Sequence, residues 1–369
     1  MLPITLASDL RIKPITSNVE LKIQPHVNSY YTINIGNYTL DTPTTEVYNG
    51  SMEDMNLIEL LDRFPDEQSC RDFIQERRWP DEITCPQCGV IGKAYKYTSG
   101  KNAGKLFKCA SCRQQFTVRV GSIFEDSKIP LRKWLLAIYL CTSIKKGVSS
   151  IQLSKFIKVR QATAWFMLQR IRHVFETGSF EKLTGEVEMD EAYIGGKDSN
   201  KHYHKRLKQL TGKGAQGHGS KNSKTPVVGM VERGGKLRAV ATKDTGSNTL
   251  MTLARKNIDI DATIYTDEHM PYRTLPKIGF KHASVNHGAK EFVNGMASTN
   301  TAESFWSHLK RGIDGIYHHV SAKHLQLYCD EYTFRWNTRG MTDGERFEAW
   351  FDNINGKRLM YKSLTNKRS

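Results

Sequence analysis

Four cysteines in this chain have the spacing of a metal site: Cys85-Pro-Gln-Cys88-Gly, an interval of twenty residues, then Cys109-Ala-Ser-Cys112. Two such thiolate knuckles fill the four tetrahedral positions of Zn2+ at Zn–S distances of about 2.3 Å, so one structural zinc is expected. A clip that folds the segment without touching nucleic acid is the alternative use, because the metal's folding energy alone justifies four cysteines. The other three cysteines, Cys70, Cys141 and Cys329, lie in apolar or amphipathic stretches and read as core residues.

A second set of residues suits phosphodiester chemistry. Cleavage with two metal ions needs a few carboxylates converging on cations roughly 3.5–4 Å apart, and Mg2+ or Mn2+ takes such oxygen ligands. Asp190 lies in VEMDEAYIGGK, an apolar strand that also carries Glu186, Glu188 and Glu191. Asp267 ends the apolar run ATIYTD, where an α/β sheet offers groups to a ligand crevice. Glu303 stands in STNTAESFWSHLKRG, and Lys310, seven residues on, shares its helical face; Asn300 and Ser307 flank the same stripe. Any one of these acids is unremarkable on a solvated surface. The ordered set of strand Asp, strand-end Asp and helix Glu selects them.

The elements that must carry these groups follow from periodicity. NLIELLDRF and SCRDFIQERRW have helical spacing ahead of the first knuckle, and a β-hairpin with a glycine-rich turn joins the knuckles. Between Ser127 and Phe175 there are ten Lys or Arg and no acid. Three helices are read there: LRKWLLAIYLCTSI, SSIQLSKFI and QATAWFMLQRIRHVF, the last two joined by the short turn KVR. That is the outline of a helix-turn-helix; a basic helical bundle without DNA contact is the alternative. From Gly185 onward, strands (VEMDEAYIG, a hairpin over TPVVGMVERGGKLRAVAT, ATIYTD) alternate with helices (TLMTLARKNI, STNTAESFWSHLKRGI, SAKHLQLYCDEYTFRWN), which predicts a layered α/β or α+β domain. Residues 199–224 hold seven Lys or Arg and no acid, the composition of a basic loop.

The fold class is therefore multidomain α+β. The expected layout is an N-terminal extension without assigned role (1–52), a helical lead-in with zinc ribbon (53–125), a helix-turn-helix-like segment (126–180), a catalytic domain (181–340) and a C-terminal tail (341–369).

A formal charge of +16, from 54 Lys or Arg against 38 Asp or Glu, favours a polyanionic partner. The longest apolar run, Trp134 to Cys141, is eight residues, where a membrane span needs about 20. The opening MLPITLASDLRIK lacks the basic start and long apolar stretch of a secretion signal, so a cytosolic protein is expected. Candidate DNA contacts are Lys155, Lys158, Arg160, Arg170 and Arg172 in the helical segment, Lys205, Arg206 and Lys208 in the basic loop, and Arg311 beside Lys310.

Together CPQCG…CASC, FTVRVGSIFEDSKIPLRKWLLAIYL, SSIQLSKFIKVRQATAWFMLQRIR, GEVEMDEAYIGGK, VVGMVERGG, YTDE, VNH and TNTAESFWSHLKRGIDGIYHHVS resemble the bacterial insertion-sequence transposases with an N-terminal zinc ribbon and an ISXO-two-like DDE domain. The resemblance runs from about Glu67 to Asn337. It implies a ribonuclease-H-like core with catalytic acids at Asp190, Asp267 and Glu303, binding two Mg2+ or Mn2+, and Lys310 as the basic residue of the same helix. Some relatives carry asparagine in place of the third acid, and Asn300 stands three residues before Glu303. His287 in VNH and His318-His319 in YHHVS match family motifs as well; hydrogen bonding within the core or to phosphate competes with proton transfer as their role. The resemblance further implies cleavage at the ends of a mobile element and attack of the freed 3′-hydroxyl on target DNA, by a dimer or higher oligomer on double-stranded DNA in the bacterial nucleoid. A domesticated DNA-binding protein without catalysis and a nuclease or resolvase on the same core are the rival readings. The carboxylates speak against the first, and the ribbon with its helical segment against the second.

Overall fold

In a computed structural model of the chain, residues 34–35, 38–39, 55–175, 181–196, 224–285 and 298–365 are described. The chain divides into two units, Met1–Asn49 and Gly50–Ser369. In the first, β1 (Asn34–Ile35) pairs antiparallel with β2 (Tyr38–Thr39), within the alternating YYTINIGNYTL run. The rest of the 1–52 extension lies outside the described residues, as do His287 and residues 199–223 of the basic loop with Lys205, Arg206 and Lys208.

The second unit starts with two capped helices, α1 (Leu57–Arg63) and α2 (Glu67–Arg78). Each has a capping box, Asn56 with Glu59 and Asp66 with Ser69, which satisfies backbone N–H groups that the first turn leaves open. The ribbon follows as an antiparallel sheet of β3 (Ala94–Lys96), β4 (Phe107–Cys109) and β5 (Gln115–Phe116). Phe107 and Phe116 stack at 5.5 Å and take the edge of Trp79, so the ribbon rests on the end of α2.

Helices α3 (Leu131–Ser143), α4 (Ser150–Ile157) and α5 (Gln161–Phe175) follow. The turn from α4 to α5 is Lys158-Val159-Arg160, with Lys158 left-handed at φ 49. Lys155, Lys158 and Arg160 are exposed. From Met167 onward α5 is enclosed, and this corrects two expectations. Arg170 is buried and donates to the carbonyls of Ile123 (2.5 Å), Glu125 (2.8 Å) and Leu359 (3.0 Å). Arg172 is 1% exposed and ion-paired with Glu331. Both guanidiniums are consumed by the interior and do not face DNA; a basic composition alone does not say which charges are turned inward.

The α/β part is a five-stranded sheet in the order β10-β9-β6-β7-β8. β6 (Glu186–Ile194), β7 (Thr225–Glu232) and β8 (Leu237–Ala241) form an antiparallel meander that turns through Gly234 at φ 71. After α6 (Ser247–Asn257), β9 (Thr263–Thr266) returns parallel to β6, and β10 (Lys281–Ser284) lies parallel to β9. Strand alternation divides β6 between two cores. Val187 and Met189 join Leu250 and Ala254 of α6, whereas Ala192 and Ile194 join α7 (Asn300–Gly312) and α8 (Leu325–Asn337) through Phe305, Leu309 and Tyr332. Sequence patterning missed β10: KHAS is a short edge strand with a charged, exposed lead residue and no apolar alternation.

The described part of the expected 341–369 tail, residues 341–365, packs into the fold. In α9 (Asp343–Ala349) and the 3-10 turn Trp350–Asn353, the residues Phe347, Trp350, Phe351 and Ile354 are buried in the N-terminal helical core. Phe347 stacks on Phe73 at 5.8 Å, and the Trp350 indole donates to Ile171 O at 3.2 Å. Their i, i+3, i+4, i+7 spacing carries the signal of a buried helical face. The chain closes with α10 (Tyr361–Thr365), where Tyr361 meets the ring of Phe166 edge-on.

A buried ion cluster joins the helical and α/β parts. Glu331 on α8 is 0% exposed and accepts Arg172 Nε of α5 at 2.6 Å, Arg335 Nη2 at 2.7 Å and the Tyr317 hydroxyl at 2.8 Å. Arg335 also donates to the carbonyls of Cys141 and Ile144 at the end of α3. Burial would raise the Glu331 carboxyl, but the two guanidiniums outweigh it and hold it below the usual carboxylate range. Its contribution is therefore full above the ordinary glutamate pKa and is lost only as pH falls through the depressed folded value. Replacing Glu331 by Ala leaves two buried cations unpaired and should cost roughly 3–5 kcal/mol in urea unfolding; a loss below about 1 kcal/mol would show that the cluster is not holding the two parts together.

Candidate active site and zinc centre

The ribbon places all four thiols together. Cys85 Sγ lies 3.7 Å from Cys112 Sγ, Cys88 Sγ 3.8 Å from Cys109 Sγ, and the four sulfurs fall within 4.8 Å of one another. The edge of a tetrahedron with Zn–S bonds of about 2.3 Å is about 3.8 Å, so the donor set fits zinc. Left-handed Gly89 (φ 73) and Arg113 (φ 62), each one residue past a CxxC pair, turn the chain back at the two knuckles. Backbone N–H groups, that of Cys112 first, lower the Cys109 thiol to about 7, toward the thiolate a metal needs. The purified protein should carry one zinc per chain by elemental analysis; Cys109→Ser should lose it and Cys70→Ser should keep it.

The carboxylates sit on the α7 side of the sheet. Glu186, Glu188 and Asp190 share that face of β6 by strand alternation. β6 runs parallel to β9 with Glu188 opposite Tyr265, and two further residues bring Asp190 level with Asp267 just past the end of β9. Asp267 Oδ1 accepts the backbone N–H of His269 at 3.0 Å. Burial, then the neighbouring carboxylate of Glu191 and, more weakly, that of Asp267, push the Asp190 carboxyl up to about 7, against the Trp306 indole N–H that donates to it at 2.9 Å. A half-buried carboxylate crowded by others and short of positive charge has the chemistry of a cation ligand.

Trp306 reaches Asp190 because Gly229 lies directly across the ladder from it. A Cβ at Gly229 would come within 2.6 Å of the indole. Glu188 fixes the helix itself. It is 1% exposed and accepts the N–H groups of Thr301 (2.8 Å) and Ala302 (3.1 Å), the Thr301 hydroxyl (3.0 Å) and Arg233 Nε (3.0 Å). The N-terminus of α7 is thus anchored on a buried carboxylate one strand step from Asp190. On the other sheet face Glu191 accepts the Tyr272 hydroxyl at 2.6 Å.

Glu303 and Lys310 are both exposed on α7, and Asn300, its first residue, is exposed as well. Among the described residues the four cysteines are the only group of three or more whose ligand atoms lie within 4.8 Å of one another, so Asp190, Asp267 and Glu303 do not form a closed cluster. His318 and His319 are exposed, His318 with its ring on the Asp314 carbonyl at 3.0 Å. Sequence reasoning assigned nothing to Glu188, Gly229, Trp306 or Arg233. Alternation along β6 signals that Glu188 shares the Asp190 face, but nothing local to VVGMV signals that an indole crosses Gly229. Gly229→Ala should displace Trp306 and cost about 1–3 kcal/mol by overpacking, read by thermal unfolding; an unchanged melt would show that the indole yields freely.

The chain thus carries a four-thiol ribbon and a sheet whose strand carboxylates Glu188 and Asp190 hold an anchored helix. Residues 182–337 match the family described as "ISXO2-like transposase domain", and residues 65–115 match "Transposase zinc-ribbon domain". An "Uncharacterized protein in transposable element ISH50" of Halobacterium salinarum is 28% identical over 276 residues, covering 74% of this chain and 91% of that protein. An "Uncharacterized transposase-like protein" of Haemophilus influenzae is 28% identical over 102 residues, covering 28% of this chain and 81% of its own. The crystal structure of the Mos1 Strand Transfer Complex is similar at 12% identity over 51% of this chain and 71% of that one, with a TM-score of 0.17. The chain thus carries, in order, a transposase zinc-ribbon domain and an ISXO2-like transposase domain. Among the described residues no helix is long and apolar enough to cross a membrane.

Proposed function

We propose that this transposase binds the ends of an insertion sequence, cleaves DNA strands there and joins the freed 3′-hydroxyl to target DNA, with Asp190, Asp267 and either Glu303 or Asn300 as ligands of two Mg2+ or Mn2+. The observation that carries the reading is Asp190: a strand carboxylate level with Asp267, raised to about 7 by burial and by neighbouring acids, under a tryptophan of the helix that bears Glu303. A ribonuclease-H-like core is part of the proposal. Its support is the antiparallel meander β6-β7-β8 extended by parallel β9 and β10, with the acids on the first and fourth of these strands and the helix that follows.

Bound divalent cations would supply activation of the attacking oxygen and charge stabilisation on the leaving one. The residues' own work is positional. Asp190 is held by the Trp306 N–H, Asp267 by the His269 N–H, and α7 by Glu188, so the two strand acids and Glu303 keep fixed relative places. Lys310, two turns beyond Glu303 on the same flank, is a phosphate contact in this reading. In the first step water adds across a phosphodiester and leaves a 3′-hydroxyl and a 5′-phosphate; in the second that hydroxyl displaces another strand's 3′-oxygen from phosphorus. Contact of Lys155, Lys158 and Arg160 with duplex DNA, and assembly as a dimer or higher oligomer on paired ends, belong to the same proposal.

A DNA-binding protein that no longer catalyses is the second reading, favoured by the open arrangement of the three acids. One assay separates them: strand transfer by the full chain on labelled element-end DNA with Mg2+ or Mn2+. Asp190→Asn should reduce joining by at least about 100-fold while end binding persists. Joining that survives the substitution would falsify the assignment, and binding without joining in the unaltered protein would favour the second reading.

A further inference from the structure

A stripe of α7 about 100° around the helix from Glu303 and Lys310 borders a cavity of ≈ 340 Å³ that the chemistry above does not use. Ser304, His308 and Arg311 line it, spaced four and three residues apart and so on one stripe of the helix. Lys145 beyond α3, Arg335 and Arg339 in and after α8, and Arg346 of α9 close it from the other side. Five cations line this space and no acid does.

Most of that charge is uncompensated. Arg335 is committed to Glu331, and Arg346 has a 3.5 Å contact with the half-exposed Asp343. Lys145, Arg311 and Arg339 have no carboxylate within salt-bridge distance among the described residues, and all three are exposed. Among the described residues Arg311 donates only to Ser307 of its own helix, and Arg339 lies 5.2 Å above the Trp336 ring. Two donors on lining residues are buried without an acceptor: Nε of Arg335, a residue only 7% exposed, and the indole N–H of Trp336. Orphaned buried donors cost about 1–3 kcal/mol each and call for an explanation. Burial, then Arg335 and Arg311, hold His308 below its usual value, so the ring adds no charge at neutral pH.

The complement of such a space is an anion with several acceptor oxygens. Guanidinium forks match phosphate oxygens two at a time, and the volume exceeds by far the share of about 30 Å³ that one water occupies. Ser304 and Arg311 directly follow Glu303 and Lys310 in sequence, so the cavity lies about a quarter turn around α7 from the flank that carries Glu303. We propose that it is a phosphate pocket for the nucleic-acid strand: it takes a backbone phosphate of the DNA whose reacting bond lies on the adjoining Glu303 flank of α7. The strand's identity rests on the transposase reading; the pocket's anion chemistry does not. A strand is favoured over a free anion because three of the cations are exposed, where a chain running over the surface can reach them.

The test is the full-length protein with Lys145→Glu and Arg339→Glu together, both exposed and so compatible with folding, which thermal unfolding would verify. Affinity for element-end duplex is measured across a range of salt concentrations, beside an Arg255→Glu, Lys256→Glu control on α6 with the same change of charge. Binding should weaken at least about 10-fold at low salt, and the slope of log K against log salt should become shallower by about 1–2, with the control unchanged. Equal affinity and slope in variant and unaltered protein, or equal weakening in the control, would overturn the pocket while leaving Asp190-dependent joining intact. Inorganic phosphate that raises the melting temperature only of the unaltered protein, with duplex binding identical in both, would overturn the strand assignment in favour of a free anion. Pocket-dependent DNA binding without any joining would instead keep the pocket and remove the transposition reading.

Discussion

Glu331 has both carboxylate oxygens committed inside the protein, one to Arg172 and the other to Arg335 and Tyr317, and the two halves of the second unit meet there. A buried carboxylate between two guanidiniums tolerates little displacement, because either arginine left alone would be an uncompensated charge. The neighbouring chain is shaped around it. Gly147 at φ 93 passes so close that a Cβ would strike the Tyr317 hydroxyl, and Gly312 leaves room for Tyr332, whose hydroxyl donates to Lys146 O at 2.8 Å. Helices α3, α5 and α8 are thereby locked to one another, and α8 carries that constraint to the sheet. Gln326 and Asn337, near its two ends, bind the backbone of β8.

The same economy governs α7. Its N-terminus is pinned by Glu188, its middle lies on Gly229 through Trp306, and its far stripe packs toward the locked α8. The helix consequently presents two chemically different flanks, an acidic-and-lysine one toward Asp190 and a cationic one toward α8. The cluster around Glu331 also bears on the second flank directly, since Arg335 belongs to the ion cluster and to the cavity at once.

Cysteine spacing, acid order and helix periodicity were legible without coordinates because each is a local property. The CxxC pairs are two residues wide, the β6 acids alternate with apolar residues, and Glu303 and Lys310 fall two helical turns apart. The zinc donor set, the placing of Asp190 in a strand and Asp267 at a strand end, and most helices follow from such patterns; the register that levels the two aspartates does not. What escaped was relational. Arg170 and Arg172 look like surface cations in a basic run, and only the packing of α5 among α3, α8 and α9 turns them inward. The segment after residue 340 is short and follows the α/β part, so it reads as a tail; its buried Phe347 and Phe351 meet Phe73 some 270 positions earlier, and Trp350 donates to Ile171 O.

The sequence by itself determined the class of chemistry, because metal-binding thiols and an ordered acid set depend on residue type and short spacing. It also determined the alternation that puts Glu186, Glu188 and Asp190 on one side of a strand. Tertiary structure alone decided which charges are spent inside and which remain for a partner, since solvation depends on neighbours that no local pattern names. It decided that Glu188 anchors a helix instead of binding a ligand of its own, and that Gly229 admits an indole to Asp190. These are contacts between segments 70 to 120 residues apart, and their cause is the close packing of a folded interior, which a linear sequence encodes but does not display.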